Sequence, residues 1–320
     1  MASRSAAFPP RTVVIATRES ALAMWQARFI EMRIAELYPD VEIRILGMTT
    51  EGDRKLDTSL AKIGGKGLFV KELEDALARG RADLAVHSMK DVPVELQPGH
   101  VLAAIPERAD PRDAFVSDRY ADIGSLPAGA RVGTSSLRRE SQLRAARPDL
   151  HIEPLRGNVQ TRLRKLDEGQ YDAILLAAAG LKRLDLAARI RSLLTPEQSL
   201  PAAGQGALGV ECRGDREDIV AMLAPLNHMP TALAVRAERA VSRTLAGSCN
   251  VPLAAYAEIS GERMRLRAYV GSPDGSRVVR GSREGPVSEA ESIGIALAGE
   301  LKNSGAAAIL ADLEAASRTS

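Results

Sequence analysis

Two cysteines could do covalent chemistry, and they stand in different company. Cys249 lies in the turn Gly247-Ser248-Cys249-Asn250-Val251-Pro252. A reactive thiolate needs exposure, and a polar turn supplies it. Cys212 closes the apolar run Ala207-Leu208-Gly209-Val210-Glu211 and reads as an inert packed thiol. No histidine stands beside Cys249 as a protease base would. A covalent anchor is therefore the more natural role, although residue chemistry alone leaves the choice open. A second candidate is His87-Ser88-Met89-Lys90-Asp91-Val92-Pro93. Pro93 biases Val92 away from helix, which fixes Lys90 and Asp91 on a short turn where a strand ends. A carboxylate there can stabilise a developing cation and exchange protons. The plain alternative is a surface ion pair, worth little. The turn's place at a strand's carboxyl end favours the chemical reading.

Arginines supply the third theme. Gly133-Thr134-Ser135-Ser136-Leu137-Arg138-Arg139 joins a strand to a helix and brings hydroxyls, backbone N–H groups and two adjacent guanidinium groups. Adjacent arginines cannot share one helix face, so this pair could hold two carboxylates. Leu155-Arg156-Gly157-Asn158-Val159-Gln160-Thr161-Arg162 repeats the design, with Asn158 as cap. Ala16-Thr17-Arg18-Glu19-Ser20 is a third such start, with Ser20 as cap, although alone it reads as ordinary capping. Three Arg-bearing helix starts suggest a polycarboxylate ligand. Gly64-Gly65-Lys66-Gly67 lacks the spacing of a nucleotide phosphate loop, and Leu68 follows where Ser or Thr is required. It reads equally well as an anion-facing loop with Lys62 and Lys66 or as a flexible surface loop. Gly204-Gln205-Gly206-Ala207-Leu208-Gly209 matches GxGxxG in letters, but an apolar strand follows it instead of a helix, so a dinucleotide site is rejected. A sharp turn between lobes is the better reading.

Composition narrows the class. The chain has 320 residues, too many for one small core, and its 45% hydrophobic and 26% charged fractions are those of a soluble globular protein. A net charge of +2 argues against a general nucleic-acid binder, and 3% aromatics disfavours base stacking. Four histidines, His87, His100, His151 and His228, lie far apart with no metal-ligand spacing, so no metal is expected. No segment is apolar enough to span a membrane, and Met1–Pro10 lacks the apolar stretch of a secretory signal. A cytoplasmic location is expected.

The elements must position these residues. Strand patterns at 12–17, 41–48 and 82–86 alternate with helix patterns at 20–37 and 68–78. Leu22, Trp25, Phe29 and Met32 define the expected buried face of the first helix. The order recurs: strands at 130–134, 151–155 and 173–177, helices at 137–146 and 159–167. Tyr38-Pro39-Asp40-Val41-Glu42-Ile43 mirrors Arg147-Pro148-Asp149-Leu150-His151-Ile152, and Gly80-Arg81-Ala82-Asp83 mirrors Gly169-Gln170-Tyr171-Asp172. The reading is an α/β protein of two related lobes forming a cleft, where ligands meet the carboxyl ends of strands. After Pro201 come a strand at 207–212, a helix at 230–246, three strands at 253–260, 264–270 and 277–284, and a helix at 288–302. These complete a C-terminal α+β domain with a loose end at 314–320. The expected division is 10–106 with 206–226 as lobe 1, 107–205 as lobe 2, and 227–320 as the C-terminal domain.

Taken together, these motifs resemble the porphobilinogen deaminase (hydroxymethylbilane synthase) family. The resemblance is carried by Ala16–Ala23, Ala61–Phe69, His87–Asp91, Gly133–Arg139, Leu155–Val159, Ala178–Leu184, Pro201–Gly206 and Gly247–Pro252, in the family's order over nearly the whole chain. Glu19 stands where the resemblance leads one to expect Gln in many relatives, a departure that leaves the implied chemistry unchanged. The resemblance implies two lobes like those of periplasmic binding proteins and a third domain bearing the cysteine. It implies a transferase of tetrapyrrole, haem and porphyrin biosynthesis that condenses four porphobilinogen units head to tail, with loss of ammonia. The implied cofactor is dipyrromethane, bound by a thioether to Cys249. Asp91 is the implied catalytic carboxylate, stabilising the azafulvene-like cation left when ammonia departs. Lys90, Asp91, Thr134, Ser136, Arg138, Arg139 and Gln205 are implied to hold the cofactor. Arg18, Ser20, Gln26, Arg156, Arg162 and Arg183 are implied to hold the incoming unit, and Lys62, Lys66 and Phe69 to belong to a lid. A monomer that passes its product to uroporphyrinogen-III synthase is implied as well.

The competing class is a non-catalytic bilobal carboxylate-binding module. It explains the paired lobes and Arg-rich helix starts but leaves Cys249 and the third domain without a use. A covalently held pyrrole, detected as colour with Ehrlich's aldehyde reagent, separates the two.

Overall fold

The computed structural model describes residues 8–50, 70–246 and 251–318. Strand β1 (Thr12–Arg18) leads into helix α1 (Ala21–Leu37), then β2 (Glu42–Met48), α2 (Lys71–Ala78), β3 (Leu84–Ser88) and β4 (His100–Ala104). A second set follows: β5 (Asp113–Val116), β6 (Arg131–Gly133), α3 (Leu137–Ala146), β7 (His151–Glu153), α4 (Val159–Asp167), β8 (Ala173–Ala177), α5 (Ala178–Arg183) and β9 (Ser192–Leu193). The chain ends with β10 (Leu208–Arg213), α6 (Glu217–Leu223), α7 (Met229–Ala246), strands β11 (Leu253–Ser260), β12 (Arg263–Gly271) and β13 (Val278–Pro286), and helices α8 (Ala290–Leu301) and α9 (Ala307–Arg318). Two units form: Met1–Arg108 with Ala207–Ala232, and Ala109–Gly206 with Leu233–Ser320. Among the described residues no helix is long and apolar enough to cross a membrane.

The first unit holds one five-stranded sheet in the order β2-β1-β3-β10-β4. β1 runs parallel to β2 and β3, whereas β10 is antiparallel to both β3 and β4. The second unit holds a five-stranded sheet in the order β7-β6-β8-β5-β9. Its strand directions repeat the first: β6 parallel to β7 and β8, β5 antiparallel to β8 and β9. The duplicated reading of the sequence thus holds at the level of topology. The antiparallel strand of the first sheet arrives late in the chain, and that of the second arrives early. The second unit also carries the antiparallel sheet β11-β12-β13, covered by α7, α8 and α9.

Two expectations need correction. The buried side of α1 is Ala23, Gln26, Ala27, Ile30 and Ile34, while Met32 is exposed and Leu22, Trp25 and Phe29 are only half-buried. Small alanines let the helix backbone approach the sheet closely, and Trp25 stacks on Phe29 at 5.5 Å instead of filling the core. The loose end expected at 314–320 is helical through Arg318, because Ile309 and Leu310 bury one side of α9 in the C-terminal core. Residues 319 and 320 lie outside the described residues.

Candidate active site

In the first unit, three chain segments meet at the carboxyl end of the sheet. Arg18 ends β1, and Ser20 caps α1 by accepting the Ala23 N–H at 3.3 Å. Gln26, buried on α1, donates its amide to Ser88 Oγ at 2.8 Å, which ties the helix to the last residue of β3. The chain then makes a single 3-10 turn at Met89–Asp91. Met89 N–H donates to Ala207 O at 3.0 Å, and Val92 N–H donates back to Met89 O at 3.2 Å. The Met89 side chain is wholly buried and occupies the space that a Cβ on Gly209 would need: that atom would stand 2.4 Å from Met89 Sδ. Lys90 and Asp91 are thereby presented, half-buried, on a turn pinned at both ends.

The same unit contains a buried polar group that sequence spacing did not reveal. His87 on β3 and His100 on β4 both approach Glu211 on β10, at 2.9 and 2.8 Å. Glu74 on α2 lies beside them. Burial, and then the charge of Glu211, push the Glu74 carboxyl above its ordinary range.

In the second unit the pair Arg138-Arg139 opens α3 and turns inward. Asp113, the first residue of β5 and fully buried, takes both. Arg139 Nη2 donates to Asp113 Oδ1 at 2.7 Å and Nε at 3.0 Å, and Arg138 Nη1 lies 2.9 Å from Oδ2. Gln205 Nε2 donates to Oδ1 at 2.9 Å and Ser199 Oγ to Oδ2 at 2.7 Å. Three of the expected residues, Arg138, Arg139 and Gln205, are thus brought together, but around a carboxylate of the chain itself. Sequence reasoning missed Asp113. The signal was available in principle: two adjacent arginines drawn into a core require a buried counter-charge. Two guanidinium groups on one carboxylate also leave this cluster one positive charge in excess.

The remaining arginines stand near strand and helix ends. Arg156 follows β7, and Asn158 caps α4 by accepting the Thr161 N–H at 2.9 Å. Gly157 has φ +111°, and a Cβ there would stand 2.6 Å from the Thr161 side chain, so only glycine admits this turn. Arg162 Nε donates to Gly157 O at 2.8 Å. Arg183 at the end of α5 donates from Nη2 to Gly206 O at 2.8 Å, and burial lowers its pKa to about 10. Thr134 is buried and accepts from Ser136 N–H at 3.2 Å. Cys212 is fully buried, and its surroundings, then Glu211, push the thiol up to about 11, in keeping with an inert role. Cys249, Lys62, Lys66 and Phe69 lie outside the described residues.

A bound dipyrromethane would bring several carboxylates. The Arg-bearing strand and helix ends fit such a group in their donor chemistry, whereas Arg138 and Arg139 direct donors at Asp113, Leu200 O and Leu175 O and add positive charge behind it.

Comparison with known proteins gives the same answer. The family model "Porphobilinogen deaminase, dipyromethane cofactor binding domain" matches residues 13–221, and "Porphobilinogen deaminase, C-terminal domain" matches residues 232–303. The porphobilinogen deaminase of Thiobacillus denitrificans is 64% identical over 304 residues, covering 95% of this chain and 99% of that one. That of Ralstonia nicotianae is 63% identical over 314 residues, covering 97% and 94%. Among solved structures, a YaeC-family lipoprotein from Enterococcus faecalis covers 69% of this chain and 93% of its own at 18% identity, with a TM-score of 0.43. The cofactor is dipyrromethane, and the activity is the transferase reaction that forms hydroxymethylbilane in tetrapyrrole biosynthesis. The chain belongs to the porphobilinogen deaminase family.

Proposed function

We propose that Cys249 carries the dipyrromethane by a thioether and that Asp91 is the catalytic carboxylate of the condensation. The observation that carries this reading is the pinned turn Met89–Asp91, which fixes a cation and a carboxylate next to each other where β3 ends. When bound, the dipyrromethane supplies the pyrrole carbon to which each new unit is joined. Asp91 accepts a hydrogen bond from the pyrrole N–H of the incoming unit. Its negative charge stabilises the positive charge that develops there as ammonia leaves. Half-burial strengthens that interaction relative to water.

Porphobilinogen carries an acetate and a propionate, so each addition brings further negative charge. Lys90, Thr134, Ser136, Arg138, Arg139 and Gln205 serve the cofactor's carboxylates. Arg18, Ser20, Gln26, Arg156, Arg162 and Arg183 serve those of the incoming unit. Arginine suits this work because its planar fork meets a carboxylate with two parallel N–H donors. The domain limits 10–106 with 206–226, 107–205 and 227–320 belong to the same proposal. So do a monomeric cytoplasmic enzyme and delivery of its product to uroporphyrinogen-III synthase.

Asp91→Ala tests the assignment. The variant is expected to retain a pyrrole that colours with Ehrlich's reagent and to lose turnover by on the order of 100-fold or more. Near-normal turnover would remove Asp91 from the chemistry.

A further inference from the structure

Glu74, His87, His100 and Glu211 converge inside the first unit from four different elements, and the condensation uses none of them. Glu211 is fully buried, and the side chains of His87 and His100 are 5% and 4% exposed. His100 Nδ1 and Glu211 Oε1 are 2.8 Å apart in hydrogen-bond geometry. His87 Nε2 and Glu211 Oε2 are 2.9 Å apart, yet neither atom has a hydrogen-bond partner. Glu211 thus keeps a buried oxygen whose hydrogen-bonding capacity nothing among the described residues satisfies. Glu74 completes the group: its carboxylate, His100 and Glu211 each offer an atom within 4.8 Å of the other two. Among the described residues, Glu74 makes no side-chain hydrogen bond to either. Two carboxylates so close together and shielded from water repel each other, and a cation between them removes that cost.

We propose that Glu74, His100 and Glu211 form a binding site for one divalent transition metal of the zinc class, with His87 beside the far oxygen of Glu211. One imidazole with two carboxylates suits Zn2+ or Co2+ better than Cu+, which prefers sulfur, or Ca2+, which prefers an all-oxygen shell. Metal–ligand distances of roughly 2.0–2.2 Å require Glu74 to close slightly and the His100–Glu211 pair to open. Ligating carboxylates are themselves hydrogen-bonded, and His87, 2.9 Å from Glu211 Oε2, is placed to give that support once the metal turns the carboxylate. His100 lies on the edge strand β4. The ion would clip α2, β4 and β10 together. Its ligands stand at positions 74, 100 and 211, so no local spacing marks it. The site does not depend on the roles proposed for Cys249 or Asp91.

The test is Co2+ titration of the full-length holoprotein after treatment with a chelator. One equivalent is expected to bind with a visible d–d band, without thiolate charge transfer, and to be displaced by Zn2+. His100→Gln is expected to abolish the band, and His87→Gln to weaken binding by on the order of 10- to 100-fold. Circular dichroism checks that each variant is folded, and the isosteric Glu74→Gln replaces His100→Gln if the latter does not fold. Absence of Co2+ binding, unchanged affinity in a folded ligand variant, or a thiolate band placing the metal on a cysteine would each overturn the proposal.

Discussion

Arg139 Nη2 donates to Asp113 Oδ1 at 2.7 Å, with both side chains out of water and Arg138 closing on the same carboxylate at 2.9 Å. Removing one partner of such a group strands the others in the core. Asp113→Asn is therefore expected to destabilise the protein by about 3–5 kcal/mol, read from urea midpoints at neutral pH. Burial alone would raise the Asp113 carboxyl, but the two guanidinium groups outweigh it and hold the group far below the usual carboxylate range. The unfolded aspartate titrates near about 4. The stabilisation is thus fully present above that pH and is lost as pH falls below it, so the gap between wild type and Asp113→Asn should narrow in acid. A gap that stays constant down to acid pH would contradict the charged pairing.

Gly209→Ala probes the support beneath the Lys90–Asp91 turn. The added methyl meets buried Met89 at 2.4 Å and Leu102 at 3.0 Å, and Met89 must shift. A stability loss of about 1–3 kcal/mol is expected from overpacking. Because Met89 begins the turn, kcat should fall more than KM rises. A variant that loses stability yet keeps wild-type kcat would show that the turn tolerates this displacement.

Arg156→Leu removes a cation that the proposal assigns to the incoming unit. Loss of one charge-assisted hydrogen bond is worth about 1.5–3 kcal/mol, or roughly 10- to 100-fold in kcat/KM. The mass of the bound cofactor should be unchanged. If kcat/KM is unaltered, Arg156 does not contact substrate.

Local periodicity made much of the fold legible. Leu137–Ala146, Val159–Asp167 and Leu253–Ser260 form elements at the positions their patterns mark. The strands β5 and β9 were not legible, being four and two residues long. Long-range partners were not legible either. Arg138 and Arg139 announce themselves as a pair, but nothing near them points to Asp113, which comes from another strand. His87 and His100 show no ligand spacing because Glu211 joins them only when β10 is inserted between β3 and β4. Bulk points to the wrong face of α1: Trp25 and Phe29 are only half-buried, while the helix uses Ala23 and Ala27 for close approach. The capping roles of Ser20 and Asn158 were readable because they depend on neighbours three residues away.

The central claim is a permanent thioether between Cys249 and the dipyrromethane on which the pyrrole chain grows and from which the product is released, and intact-mass measurement of the purified protein tests it most directly. Wild type should weigh more than its polypeptide by one dipyrromethane and gain further pyrrole units with limiting porphobilinogen, whereas Cys249→Ser should show the bare polypeptide mass under both conditions. A wild-type mass equal to the polypeptide before and after incubation, or an adduct that persists in Cys249→Ser, would contradict it.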